Sequence, residues 1–403
     1  MFQPGDVSIQ KFGGSSMATP ERIRRVAERI AGQASTGRPM AIVVSAMGDT
    51  TDDLISLMRK VSYNPDLREM DQMLATGEMI SCTLMASALK NLGIKVKSFN
   101  AFNLKICSDE KFGSAEIKEF GRIDELKRFI ASGGVAIVAG FQGITPDGDL
   151  TTLGRGGSDI TAVALARDLG QKVCEKFTDE DGIYTADPRI ISSARKIWHL
   201  NYEEMAILAG YGNGILHPRS ISYAKGSSIR IHVRSSFTRE EGTIVGPTGN
   251  PDLPVKSIAC DKKQAIICLK GVKRKVNYSE KNIGENSFSI FELEEIYKNG
   301  FQEIRFGVRI SEVFEALPFF WNEAVEADAE DVQFKSHLTV ISIVGCGLNE
   351  ELRRKLDFPM LLRKSEIPVI ISDSGKNRVS IAVGEDYFEK ALDIIHTSIL
   401  QKS

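Results

Sequence analysis

Four separated segments of this 403-residue chain carry residues suited to holding and moving an anionic group. The densest is Thr151-Thr152-Leu153-Gly154-Arg155-Gly156-Gly157-Ser158-Asp159-Ile160-Thr161-Ala162, where three glycines surround one arginine and a Ser-Asp pair opens an alanine-rich run. Glycine lets backbone approach a ligand closely, and the start of a helix offers free N–H groups and a partial positive charge to an anion. Arg155 adds a planar fork suited to a carboxylate or phosphate. A second segment sets Lys11 beside Gly13 and Gly14, a third carries Glu78 in a helical run, and a fourth runs from Thr178-Asp179 to Tyr184, Asp187 and Arg189. A lysine at a glycine-rich strand end can reach phosphate oxygens while backbone N–H groups hold others. Asp and Tyr side chains in a loop can hold a ribose and a base. Together these are the needs of phosphoryl transfer, which asks for positioning and charge neutralisation rather than covalent help. Taken singly, Lys11 reads as an exposed lysine, Glu78 as a solvated helix residue and Tyr184 as packing, but those readings leave the clustering unexplained. Neither G-x-x-x-x-G-K-[ST] nor a G-x-G-x-x-G after a strand occurs, so the usual nucleotide-loop motifs are not the route.

The elements that must position these groups alternate. Residues 7–12, 41–45, 96–100, 135–139 and 173–177 are short strand candidates, most apolar at 41–45 and 135–139, separated by helical runs such as 69–92 and the one after Thr19-Pro20, with Ile23, Val26, Ala27 and Ile30 on one face. That pattern predicts an α/β fold with a mostly parallel sheet sandwiched by helices. Ligands of such sheets gather at the carboxyl ends of the strands, and Lys11, Ser45, Gly140 and Thr178 all fall at or just past a strand end. Near 245–260 glycines and prolines cluster as a linker. Beyond it, strands at 338–344, 367–372 and 377–383 with helices near 349–364 and 384–399 predict a ferredoxin-like unit. Residues 262–330, with strand candidates at 264–269 and 303–309, suggest a weaker related unit.

Composition narrows the partners. With 42% hydrophobic and 26% charged residues and a net charge of −2, the chain reads as an ordinary soluble protein without a basic surface for nucleic acid. No apolar run approaches the roughly 18 residues of a membrane span, and the N-terminus reads as a strand rather than a leader, so a cytoplasmic protein is expected. Its six cysteines include no C-x-x-C pair, and its five histidines are scattered. Free thiols and no side-chain metal site are the expectation.

Six segments resemble the aspartate kinases of the amino-acid kinase superfamily, in the monofunctional form with C-terminal ACT domains: QKFGGSS (10–16), VVSAMGDTTD (43–52), Gly77-Glu78, VAGFQG (138–143), TTLGRGGSDITA (151–162) and CEKFTDEDGIYTADPR (174–189). The resemblance implies an amino-acid kinase domain over 1–245, a linker over 246–260, a degenerate ACT-like unit over 261–335 and a second ACT unit over 336–403. It implies ATP-dependent phosphorylation of the β-carboxylate of L-aspartate to 4-phospho-L-aspartate, opening the pathway to lysine, threonine, methionine and diaminopimelate. Lys11, Asp159 and Arg155 would be catalytic, and Thr51, Glu78, Arg155 and Ser158 would bind aspartate. Lys11, Gly13, Gly14, Thr178, Asp179, Tyr184, Asp187 and Arg189 would bind ATP. Mg2+ would be held mainly through ATP, and the ACT units would join two copies as a homodimer.

Two departures from the family pattern stand out. Gly214 occupies the place of a lysine in the family's G-x-K-[IV]-L-H-P segment, a loss worth about 2–4 kcal/mol of transition-state stabilisation, which Lys176 or Lys225 could make good. Residues 262–330 also lack the family's effector-binding turn, with 277–286 irregular and polar, so feedback regulation is expected to be altered. Other amino-acid kinases of the same fold, and a catalytically weak paralogue serving as a regulatory subunit, are the alternatives.

Overall fold

A computed structural model of the chain describes residues 3, 6–249, 255–274, 276, 290–298, 301–345, 348, 350–355, 357–375 and 377–400. They fall into two compact units. The first comprises Met1–Ile183, Lys196–Ala209 and Gly214–Asn250, the second Tyr184–Arg195, Gly210–Asn213 and Pro251–Ser403.

In the first unit four of the expected strands become the middle of an eight-stranded sheet, and the fifth, Val96–Phe99, is its edge. Its strands are ordered His199–Asn201, Thr243–Gly246, Arg230–Ser235, Val173–Thr178, Ser8–Phe12, Met40–Val44, Val135–Ala139 and Val96–Phe99. Every pairing is parallel except that of Arg230–Ser235 with Thr243–Gly246. Side chains alternate between the two faces. Phe12, Met40, Ile42, Val44, Ile137 and Phe177 pack against Ile23, Val26 and Ile30 of the helix Pro20–Ala34 and against Met85 and Leu89 of the helix Leu67–Asn91. Phe12 and Phe177 stack with centroids 4.8 Å apart, and burying each such side chain contributes about 1.5–3 kcal/mol. The opposite face, carrying Lys11, is covered by the almost wholly buried helix Gly157–Asp168. Thr19 caps the first long helix by accepting from Arg22 N, with Pro20 in its first turn, as its sequence predicts. The helix expected from 69 starts at Leu67, because Asp66 accepts from Arg68 N and Glu69 N.

A four-stranded sheet, Ile117–Phe120, Ile106–Ser108, Gln142–Ile144 and Leu150–Thr152, joins this unit. Three of its strands have only three residues, too short to leave a periodic signal.

The second unit is a six-stranded antiparallel sheet ordered Ile290–Lys298, Phe301–Arg309, Ser257–Val272, Asp331–Val344, Arg378–Gly384 and Ile371–Gly375. The two long strands pair from Ser257 with Val344 to Lys270 with Asp331, and so run through both halves of the sheet. One core gathers Ile267, Leu269, Phe306 and Phe320 with the helix Val313–Glu326. A second gathers Ile341, Ile343, Ile381, Leu392 and Ile395 with the helix Phe388–Leu400. The single helix expected near 349–364 is two, Glu350–Lys355 and Phe358–Lys364, since Asp357 caps the second and Pro359 sits in its first turn. The expected linker is shorter: Thr243–Gly246 is a strand and Ser257–Val272 begins before residue 260. Its Pro251 and Pro254, together with 277–286 and Cys346, lie outside the described residues. Cys82, Cys107, Cys174, Cys260 and Cys268 are free thiols.

Candidate active site

The strand ends of the parallel sheet are tied level with one another. Gly13 N donates to Phe177 O, Ser45 N to Phe12 O and Gly140 N to Val44 O, each at 3.1 Å. Just below this rim Lys11 and Lys176 lie opposite each other on neighbouring parallel strands. Both reach Asp159, in the first turn of the covering helix: Lys11 Nζ is 2.8 Å from Oδ1 and Lys176 Nζ 2.6 Å from Oδ2. All three residues are at most 8% exposed. Burial alone would raise the Asp159 carboxyl, but the two ammonium groups outweigh it and hold it near 2. Burial, aided by the Lys11 charge, keeps Lys176 below the usual lysine range despite its pair with Asp159.

Glu78 reaches the same crevice from the helix Leu67–Asn91. Gly77 makes this possible, since a Cβ there would stand 3.0 Å from that of Ala46 and 3.6 Å from Thr50 Cγ2. The close crossing lets Glu78 Oε1 accept from Ala46 N at 3.0 Å, with Ser158 Oγ at 3.5 Å. Glu78 Oε2 is buried with no hydrogen-bond partner among the described residues. Burial raises this carboxyl from an ordinary 4.5 to about 7, against the opposing pull of the Ala46 amide and Lys11. Thr51 is half-buried in the first turn of the helix Thr50–Val61, next to the Thr50 that faces Gly77.

The Arg155 loop is shaped by its neighbours. Gly154 and Gly156 have φ of +70° and +74°, conformations that disfavour other residues, and a Cβ on Gly156 would lie 2.6 Å from His217 Cβ. Arg219 clamps the loop, donating to Leu153 O at 2.6 Å and Ser114 O at 3.1 Å. Asp71 secures the strand leading into it, accepting from Thr152 N and Gly113 N at 2.8 Å and from Thr152 Oγ1 at 2.6 Å. Arg155 itself is exposed and makes no hydrogen bond or ion pair among the described residues. On the other side of Lys11, Asp179 accepts from Thr178 Oγ1 at 3.0 Å and from Ser15 Oγ at 3.1 Å. These bonds overcome its burial and lower its carboxyl below the usual range.

The model of the amino acid kinase family matches residues 6–235. Aspartokinase from Corynebacterium efficiens is 36% identical to this chain, over 96% of it and 94% of the relative. Aspartokinase from Thermus thermophilus is also 36% identical, over 96% and 97%. The chain belongs to the amino acid kinase family, among its aspartokinases. Its fold is similar to that of aspartokinase III of E. coli solved with lysine and aspartate, with a TM-score of 0.76 at 20% identity, covering 98% of this chain and all of that one.

In this aspartokinase-family chain Lys11, Gly13, Gly14, Thr51, Glu78, Arg155, Ser158, Asp159, Thr178 and Asp179 all belong to the first unit. Tyr184, Asp187 and Arg189 belong to the second, where Asp187 pairs with Arg189 at 2.9 Å. There Ser257 Oγ donates to Tyr184 O, and Ala186 and Ile191 pack beside Ile258 and Ile395. Sequence reasoning passed over Asp71 and Arg219, whose partners are remote in the chain. Asp71 shares the buried face of its helix with Glu78 and Ser81 as well as Leu74 and Cys82, and no local pattern marks it. Gly214 is exposed and a Cβ there would meet nothing within 4 Å. Lys225 pairs with Glu203 at 3.0 Å on the surface.

Proposed function

We propose that the chain transfers the γ-phosphoryl group of ATP to the β-carboxylate of L-aspartate. The observation that carries this reading is the crevice itself: two buried lysines on one carboxylate, beside an unpartnered Glu78 oxygen and a free Arg155. The cationic side suits phosphate. Glu78 suits the substrate ammonium, and Arg155 with Ser158 and Thr51 suits its carboxylates. A carboxylate oxygen attacks the γ-phosphorus while the bond to the β-phosphate oxygen breaks, giving 4-phospho-L-aspartate and ADP. The nucleophile is ionised near neutral pH, so no side chain need take a proton.

Lys11 holds the γ-phosphoryl oxygens, Asp159 fixes that lysine, and Gly13 and Gly14 leave the passage open. Thr178 and Asp179, in the same unit as Lys11, serve the nucleotide. Asp159 faces a lysine ammonium from each of its two oxygens. A Mg2+ ion would, in this reading, enter on the ATP phosphates and neutralise part of their charge. In this reading the kinase domain ends near 245, the ACT-like halves divide near 335 and join two copies, and the protein works in the cytoplasm. Hydroxylamine trapping tests the reaction: ATP with aspartate should yield aspartyl hydroxamate. A folded protein giving none would favour the weak paralogue, and a hydroxamate with another carboxylate alone would favour a different substrate.

A further inference from the structure

Lys176 is the one residue of the charged cluster to which the proposed reaction gives no task. Parallel pairing sets it directly opposite Lys11, so both side chains leave the sheet on the same face. Lys176 is 8% exposed and Lys11 6%. Among the described residues Asp159 is the sole carboxylate within ion-pair distance of either ammonium. Glu78, the other buried acid of the crevice, is bonded to Ala46 N and Ser158 instead.

One carboxylate for two buried ammonium groups leaves a surplus positive charge, and buried charge is costly unless paired. A purely structural ion pair would need one lysine, and Lys11 already supplies it. The surplus sits just below the rim formed by Gly13, Ser45 and Gly140, where an incoming anion would balance it. In phosphoryl transfer the charge on the equatorial oxygens of the moving group is what the protein must stabilise.

We propose that Lys176 is a second catalytic cation, its Nζ contacting the transferred γ-phosphoryl group beside Lys11 while Asp159 holds both lysines in place. This rests on the reading that Lys11 faces that group. It also meets the open place at Gly214: the missing phosphate-facing charge rises from the sheet instead of from the loop before Leu216-His217-Pro218.

The test is Lys176→Gln in the full chain, with ATP and ADP affinities by calorimetry, steady-state kinetics and thermal melting. The expected result is a fall in kcat of about 100-fold, typical of losing one preorganised charge contact. ATP should bind at least about tenfold more weakly, with ADP affinity and aspartate KM within about twofold, because a γ-phosphate contact is absent from ADP. Lys176→Arg should restore part of kcat. Equal weakening of ATP and ADP, or an unchanged kcat, would overturn the proposal. Lys176→Met, which leaves no orphan amide, covers the case of a Gln variant that unfolds. If both unfold, the lysine is structural and the proposal fails. Lys11→Gln separates the two readings: a silent Lys11 sinks the site assignment itself, whereas a silent Lys176 beside a crippled Lys11→Gln sinks only this inference.

Discussion

Replacing Glu78 by Gln should stabilise the substrate-free protein in mild alkali while crippling aspartate binding. Burial lifts this carboxyl from 4.5 to about 7. The folded state therefore holds a proton that the unfolded chain has already released, so this residue's contribution to stability is full below about 4.5, declines as pH rises toward 7 and is flat beyond. A shift of about 2.5 pKa units at 1.36 kcal/mol each comes to about 3 kcal/mol, most of it spent between pH 5 and 8. Glutamine does not titrate, and its amide oxygen can still accept from Ala46 N. The Glu78→Gln protein should thus gain on the wild type by about 2–3 kcal/mol between pH 5 and 8, or about 5–10 °C in Tm for a unit of this size. Calorimetric melts of both proteins without substrate at pH 5, 6, 7 and 8 measure it. A gap in Tm that does not change with pH would refute the argument. The kinetic counterpart has the same origin, because Glu78 must ionise to meet the substrate ammonium. Wild-type KM for aspartate should rise about tenfold per pH unit below 7, and that dependence should vanish in Glu78→Gln, whose KM is about 30- to 100-fold higher throughout for want of a charged hydrogen bond.

Two further substitutions separate binding from support. Arg155→Ala should raise aspartate KM about 10- to 100-fold, the worth of a charge-assisted contact, while Tm stays within about 1 °C because this exposed side chain bonds nothing internally; a fall in Tm with unchanged KM would contradict both halves. Arg219→Ala removes the bonds to the Leu153 and Ser114 carbonyls, so it should cost about 1–3 kcal/mol in denaturant melts and raise aspartate KM through the loosened Arg155 loop; unaltered stability would show that the clamp is not needed.

Much of this arrangement is legible in the sequence because the parallel sheet writes itself as short apolar runs, and each run ends where the chemistry begins. Lys11 and Asp159 are far apart in the chain, yet both can be read as strand-end and helix-start residues of one crevice. What escapes is of two kinds. Elements whose residues are half solvated leave no apolar signature: residues 331–337, the first half of a long strand, are largely exposed, so only 338–344 shows. The second kind is the polar tie between remote segments. Nothing near Asp71 in the chain announces Thr152 and Gly113, and nothing near Arg219 announces Leu153, because a hydrogen bond between distant segments imposes no local period.

The charged residues of the crevice form a single electrostatic pattern. Lys11 and Lys176 on Asp159 leave the phosphate side one positive charge in excess, and Arg155 adds another at the rim. On the substrate side the raised carboxyl of Glu78 carries only part of its negative charge near neutral pH, so the empty crevice keeps part of that excess. In the proposed assignment the entering aspartate brings the ammonium that makes ionisation of Glu78 favourable, together with carboxylates for Arg155, while ATP brings the oxygens for the lysines. Each substrate supplies the charge that the empty site lacks on its own side. The crevice is therefore least stable empty, and binding energy from both substrates should appear as a rise in Tm greater than either produces alone.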